Sequence, residues 1–221
     1  IEKHLWASSL VEDDMGYYDI PYYFYFKKGI NKLTLVSHRE PIVIGEIKLC
    51  QHKSIPSYKE YLAAKKNIPV VKDDFNVPIQ AEEAYLKSAP TLNPIAEFST
   101  YKYEPYEKYI NKYNAIGGYY WRIPGEEISW QVEVPKEGMY LINFKIMQNF
   151  SRGKNATRSL KVNGEVPFKE VNDIEFKYKS DLQNVTLSNG DEQYLLHLNK
   201  GVNTISLTTT IGVYGDTVNR V

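Results

Sequence analysis

Residues 194–207 read Tyr194-Leu195-Leu196-His197-Leu198-Asn199-Lys200-Gly201-Val202-Asn203-Thr204-Ile205-Ser206-Leu207. Apolar side chains fall on every second position to either side of a Lys-Gly pair. Successive side chains of a strand point to opposite faces, so this is the spacing of two half-buried strands joined by a tight turn. The same arrangement occurs 172 residues earlier with no gap, where Tyr22, Phe24, Phe26, Lys28, Gly29, Ile30, Asn31, Leu33 and Leu35 match Tyr194, Leu196, Leu198, Lys200, Gly201, Val202, Asn203, Ile205 and Leu207. Eight or more positions with the same physical role make this an internal repeat.

Working outward, the alternation persists. A third early strand is expected at residues 42–49. Later ones are expected at 78–82, at Glu127-Ile128-Ser129-Trp130-Gln131-Val132-Glu133-Val134, and at 139–146 after a Lys136-Glu137-Gly138 turn. Residues 159–166 form a hairpin centred on Asn163-Gly164, the pair best suited to a two-residue turn. Short strands at this spacing predict an all-β sandwich of the jelly-roll kind. Residues 84–115, rich in Pro, Asn, Tyr and Lys, read as a long loop. Residues 57–66 read as a short helix with Ser57 at its N-cap, and Pro69 ends it.

Domain limits follow from these elements. Residues 77–221 make one sandwich module and residues 51–76 a helical linker. The second copy of the repeat closes its module. Residues 1–50 therefore read as the C-terminal part of an earlier sandwich whose opening half is absent, its uncovered face either met by strands from another segment or chain or packed against the second module. The start on Ile1 fits a processed protein or an excised piece, and residues 211–221 read as chain heading into a further segment.

The chain has 221 residues with 27 basic and 27 acidic groups, so a general attraction to nucleic acid or to an anionic membrane is not expected. No apolar run reaches the roughly 18 residues of a membrane span. Cys50 is the one cysteine, which excludes an internal disulfide and a cysteine metal cluster. Three Asn-x-Ser/Thr sequons, at Asn149, Asn155 and Asn184, are short enough to arise by chance. Nineteen tyrosines exceed what half-buried strands alone call for. Tyrosine also serves surfaces that must be flat, apolar and hydrogen-bonding at once.

Residues 118–140, with Trp121, Trp130, Val132, Val134, Pro135, Gly138 and Tyr140, resemble galactose-binding-domain-like sandwiches. Among these are carbohydrate-binding modules whose strands read W-x-V-x-V-P-x-x-G-x-Y. Residues 160–164 and 200–205 match two further strand pairs of that fold, so the likeness spans about residues 77–209. Residues 79–82, 119–121, 148–153 and 166–168, with 23–26 and 35–42, also resemble large extracellular solute-binding lipoproteins of carbohydrate ABC transporters in Gram-positive bacteria. The resemblance implies an N-terminal accessory portion, held at the cell surface through the parent lipoprotein. Its partners would be oligosaccharide or polysaccharide, the remainder of that protein and its permease. The same fold often holds a structural calcium near its first strand, which points to Glu82. Gln80 stands where an acidic ligand is usual, and a complete oxygen set is not evident.

Sugar binding needs an aromatic face for the pyranose ring and amide or guanidinium groups for its hydroxyls. Tyr119, Tyr120 and Trp121, after Gly117-Gly118, and the loop carrying Gln148, Asn149 and Arg152 supply these types, as does Arg158. Trp130, mid-strand, reads as core; Trp121 is open to either role, and Arg152 and Arg158 are equally suited to binding backbone carbonyls. Catalysis has little support. His4, His38, His52 and His197 lack metal-type spacing. Glu126-Glu127 and Asp13-Asp14 are neighbours that a strand would point to opposite faces. The leading expectation is a non-catalytic carbohydrate-binding region. A structural spacer, or an accessory module of a polysaccharide-degrading enzyme, are the alternatives.

Overall fold

The computed structural model describes residues 5–6, 8–13, 17–18, 20–38, 41–51, 54–71, 75–99, 101–150 and 152–212. His4, His52, Asp14, Ser151 and residues 213–221 lie outside the described residues. The strands are β1 (Leu86–Lys87), β2 (Pro94–Ile95), β3 (Ala115–Ile116), β4 (Glu127–Val134), β5 (Gly138–Leu141), β6 (Asn143–Gln148), β7 (Ala156–Val162), β8 (Ile174–Phe176), β9 (Lys179–Thr186), β10 (Leu195–Leu198) and β11 (Gly201–Thr210). One sheet runs β1-β4-β11-β7-β8, and β10-β5, β6-β9 and β2-β3 are two-stranded ladders, all antiparallel. The all-β, antiparallel expectation is borne out.

The period-two reading places the core correctly. Ile128, Trp130, Val132 and Val134 of β4 are buried on one face, joined by Leu160, Ile205 and Leu207 of the same sheet and by Tyr140, Leu196 and Leu198 of the β5–β10 ladder. Phe168 and Val171 fill the space beside them with no side-chain surface left to water. Between the layers, Trp130 donates its ring N–H to the Ala81 carbonyl at 2.8 Å, which satisfies the indole in an otherwise apolar setting. The Asn163-Gly164 turn forms as expected, with both residues at positive φ and Val162 bonded to Glu165 in both directions.

Helix α1 (Tyr58–Ala64) carries the expected cap: Ser57 and Glu60 exchange hydrogen bonds as a capping box. It is not a free linker element, because Tyr58 and Tyr61 pack on Phe168 with ring centroids 4.7 and 5.0 Å away. Their hydroxyls accept from the backbone amides of Leu195 and His197 at 2.9 and 2.7 Å. Those amides lie on the open edge of β10, so the helix seals an edge that would otherwise be free to pair. Beyond the helix, Val70 bridges Met139 in parallel on the other side of β5.

Four expectations differ from the structure. The single strand expected at residues 139–146 is divided at Ile142 into β5, which pairs with β10, and β6, which pairs with β9. The strand expected at residues 78–82 is instead extended chain entering a 3₁₀ turn, Ala81–Glu83; Pro78 cannot donate to a ladder, and the first strand comes at Leu86. The loop expected over residues 84–115 contains the short strands β1, β2 and β3. The three strands expected within residues 22–49 are not assembled: no strand forms among the described residues before Leu86. Those segments enter no ladder, and their apolar side chains are exposed.

Candidate functional site

The register of the large sheet brings several of the selected residues to one end of the sandwich. Glu127 lies opposite Thr208 and Thr157 opposite Thr210, so the start of β4, the end of β11 and the start of β7 share that end. The chain entering β4 and the loop joining β6 to β7 both emerge there.

Before β4, Gly117 (φ 97°) and Gly118 (φ 59°) turn the chain into a short 3₁₀ helix, Gly118–Tyr120. A Cβ on Gly117 would lie 2.8 Å from the Trp121 ring, so only glycine lets the backbone pass so close. The turn leaves Tyr119 and Tyr120 exposed (52% and 60%) and sends Trp121 inward, where it packs against the core. The tyrosine rings meet nearly edge-on, with centroids 5.8 Å apart and planes at 83°. Phe150, 62% exposed on the β6–β7 loop, lies 6.2 Å from Tyr119 with planes at 52°. Arg122 covers one face of Tyr119, its guanidinium carbon 3.9 Å from the ring centroid. Asn149 and Arg152 are exposed on the same loop.

The other selected residues are occupied within the fold. Trp121 donates its ring N–H to the Glu126 carbonyl at 3.2 Å and meets Trp130 edge to face at 6.4 Å. Arg158 lies over its ring, 4.3 Å from the centroid, and donates to the carbonyls of Trp121 and Thr157 at 2.8 and 2.7 Å. Burial pushes the Arg158 guanidinium down to about 10, opposed by the Glu126 carboxylate, which leaves it charged at neutral pH. Gln148 is buried; its amide N–H donates to the Lys154 carbonyl at 2.8 Å and closes the loop that carries Phe150. Arg122 and Phe150 were not selected from sequence. The one signal for Phe150 is an apolar ring inside an otherwise polar loop.

Glu82 sits in the 3₁₀ turn after Gln80, and its Oε2 is buried without a hydrogen-bond partner. Calcium takes six to eight oxygens, several of them carboxylate. Among the described residues no three His, Cys, Asp or Glu side chains come together, so the donors present do not make up such a set. The adjacent carboxylates Glu126 and Glu127 do not form a reacting pair. Glu126 is buried beside the Ile123 amide, 3.3 Å away, whereas Glu127 pairs with Lys161 at 2.7 Å. Two surface concavities of about 480 and 490 Å³ lie away from the aromatic cluster and share Glu170 and Tyr194. Their common carboxylate, Glu170, is committed to the Tyr58 amide at the start of α1. The exposed rings with adjacent donors are the better candidate on chemical grounds. No helix among the described residues is long and apolar enough to cross a membrane.

No family model matches the chain, and no curated protein matches it. Among solved structures it is similar to a family 35 carbohydrate-binding module from Clostridium thermocellum, at 21% identity over 62% of this chain and 87% of that one, with a TM-score of 0.45. A cycloisomaltooligosaccharide glucanotransferase from Paenibacillus sp., complexed with cycloisomaltoheptaose, matches at 20% identity over 70% of this chain and 21% of that one, TM-score 0.46. A GH26-CBM35 β-(1,4)-mannanase from Podospora anserina matches at 15% identity over 62% and 24%, TM-score 0.43.

Proposed function

We propose that this chain is a non-catalytic carbohydrate-binding region, extracellular and carried by a solute-binding lipoprotein of a carbohydrate ABC transporter. The observation that carries the binding assignment is the cluster of Tyr119, Tyr120 and Phe150, three exposed rings gathered from two loops at one sandwich end. Exposed aromatics stack on the C–H face of a pyranose, and Arg122, Asn149 and Arg152 supply donors for its hydroxyls. Trp121 and Arg158 act beneath them as anchors that hold the tyrosine turn in place. The transporter assignment rests on the sequence resemblance across residues 23–42 and 79–168.

Ring orientation narrows the ligand. Planes inclined at 83° and 52° give no flat platform for a crystalline polysaccharide surface. They fit a soluble oligosaccharide or a single chain end, wrapped by rings on more than one side.

A glycan array followed by calorimetric titration tests the reading. Binding of at least one oligosaccharide is expected, and Tyr119→Ala with Tyr120→Ala should weaken it about tenfold or more, near 1.4 kcal/mol, with little change in thermal stability. Absence of binding across neutral and acidic oligosaccharides, or binding untouched by both substitutions, would sink it.

A further inference from the structure

We infer that residues 20–35 are the closing hairpin of a second sandwich, covered by counterparts of β4, β5 and β7 from the stretch of the parent polypeptide that precedes Ile1. The two copies of the repeat build the same turn. Asn203 donates its side-chain amide to the carbonyls of Asn199 and Gly201 at 2.7 and 3.1 Å. Asn31 donates to those of Lys27 and Gly29 at 2.8 and 3.0 Å. Both asparagines thus reach the residues four and two places before them. Gly201 and Gly29 take up φ of 95° and 109°. The turn is written in local sequence and forms in both places. The ladders are not local, and only the second copy has them.

The second copy also shows what belongs on the first. β10 pairs with β5, while β11 is flanked by two different strands, β4 and β7. Through these neighbours Leu196, Leu198, Ile205 and Leu207 are buried, whereas their counterparts Phe24, Phe26, Leu33 and Leu35 are exposed. Leu196 shows none of its surface, against 59% for Phe24. Exposed apolar stretches of this extent mark surfaces meant to be covered. In the second copy every covering strand precedes the hairpin, within residues 127–162. The same offset of 172 residues puts their counterparts before Ile1. A second copy of the hairpin would offer one like strand on one edge, not the two unlike neighbours that β11 has.

Hydrogen exchange on the 221-residue chain, and on the parent polypeptide extended upstream by one further module, on the order of 100–150 residues, decides the matter. In the extended protein, amides of residues 22–35 should exchange at least a hundredfold more slowly than in the 221-residue chain, approaching the protection of residues 194–207. Phe24→Asp should remove that protection and leave residues 194–207 unchanged, while Phe24→Leu keeps it. Equal, fast exchange in both proteins would overturn the inference. Protection that appears in the shorter chain and rises with its concentration would overturn it too, since a second copy would then be the cover.

Discussion

Arg158 sits over the Trp121 ring and also donates to the carbonyl of that residue, so one side chain holds both the ring and the backbone beneath the exposed tyrosines. The pair links β7 to the turn before β4 across 37 positions of sequence. Trp121→Ala removes a half-buried ring with contacts on its face and edge, and should cost about 3 kcal/mol of stability. Arg158→Ala strips one face of the indole and leaves two carbonyls unmatched, at about 1–3 kcal/mol. Urea unfolding of both variants measures this. Thermal and chemical stability equal to the parent's would mean the pair is ornamental.

Alkaline stability is set in part by tyrosines held neutral. Burial, with Glu97 and Asp181 nearby, pushes the Tyr103 phenol up to about 12, and burial likewise raises Tyr61. A raised value favours the protonated form in the folded state. That stability is whole below the ordinary value near 10 and is lost as pH climbs from 10 through about 12. The urea midpoint should fall across that interval, and Tyr103→Phe should make the fall shallower.

At the acid end the sign reverses. Burial raises the Glu127 carboxyl, but hydrogen bonds from Lys161 and Thr208, each 2.7 Å, outweigh it and hold the group below the usual carboxylate range. Its contribution is present above about pH 4.5 and disappears as the pH falls through the depressed value. Glu127→Gln should therefore lower stability at pH 7 and narrow the gap to the parent as the solution is acidified. A gap that stays constant with pH would assign the loss to packing.

Gly201 turns the chain at φ 95° with nothing within 4 Å of where a Cβ would sit. Gly201→Val is thus a purely backbone penalty, about 1–3 kcal/mol. An unshifted melting temperature in that variant would count against the turn geometry shared with Gly29.

Much of the sandwich was legible because its central strands obey one rule. β4, β10 and β11 alternate cleanly, and Asn163-Gly164 and Lys200-Gly201 mark their turns. β8 and β9 are harder to read: Ile174, Phe176 and Tyr178 alternate over too short a run to stand out, and β9 is only half-buried with Leu182 and Val185 as its apolar side chains. The short strand β1 is held by its pairing with β4 rather than by its own pattern. Within the site, Tyr119 and Tyr120 could be found from composition and the preceding glycines. Phe150 joins them only because two loops distant in sequence meet, whereas Arg122 reaches Tyr119 from three residues along the same turn. Trp121 is sent inward by the glycine turn and held there by Arg158, a partner no local pattern reveals. In residues 1–50 the period-two signal is real, but a pattern specifies which face is buried and not what buries it.

The tyrosine hydroxyls that meet β10 place a practical limit on dissection. A fragment trimmed to begin at residue 77 would keep every strand of the sheet yet lose the helix that occupies β10's outer amides. Phe168 and Tyr194 would be uncovered beside a bare strand edge, an arrangement that recruits other chains into intermolecular ladders and precipitates. A fragment that keeps the edge of β10 covered therefore starts ahead of Ser57, 29 residues before the first strand at Leu86.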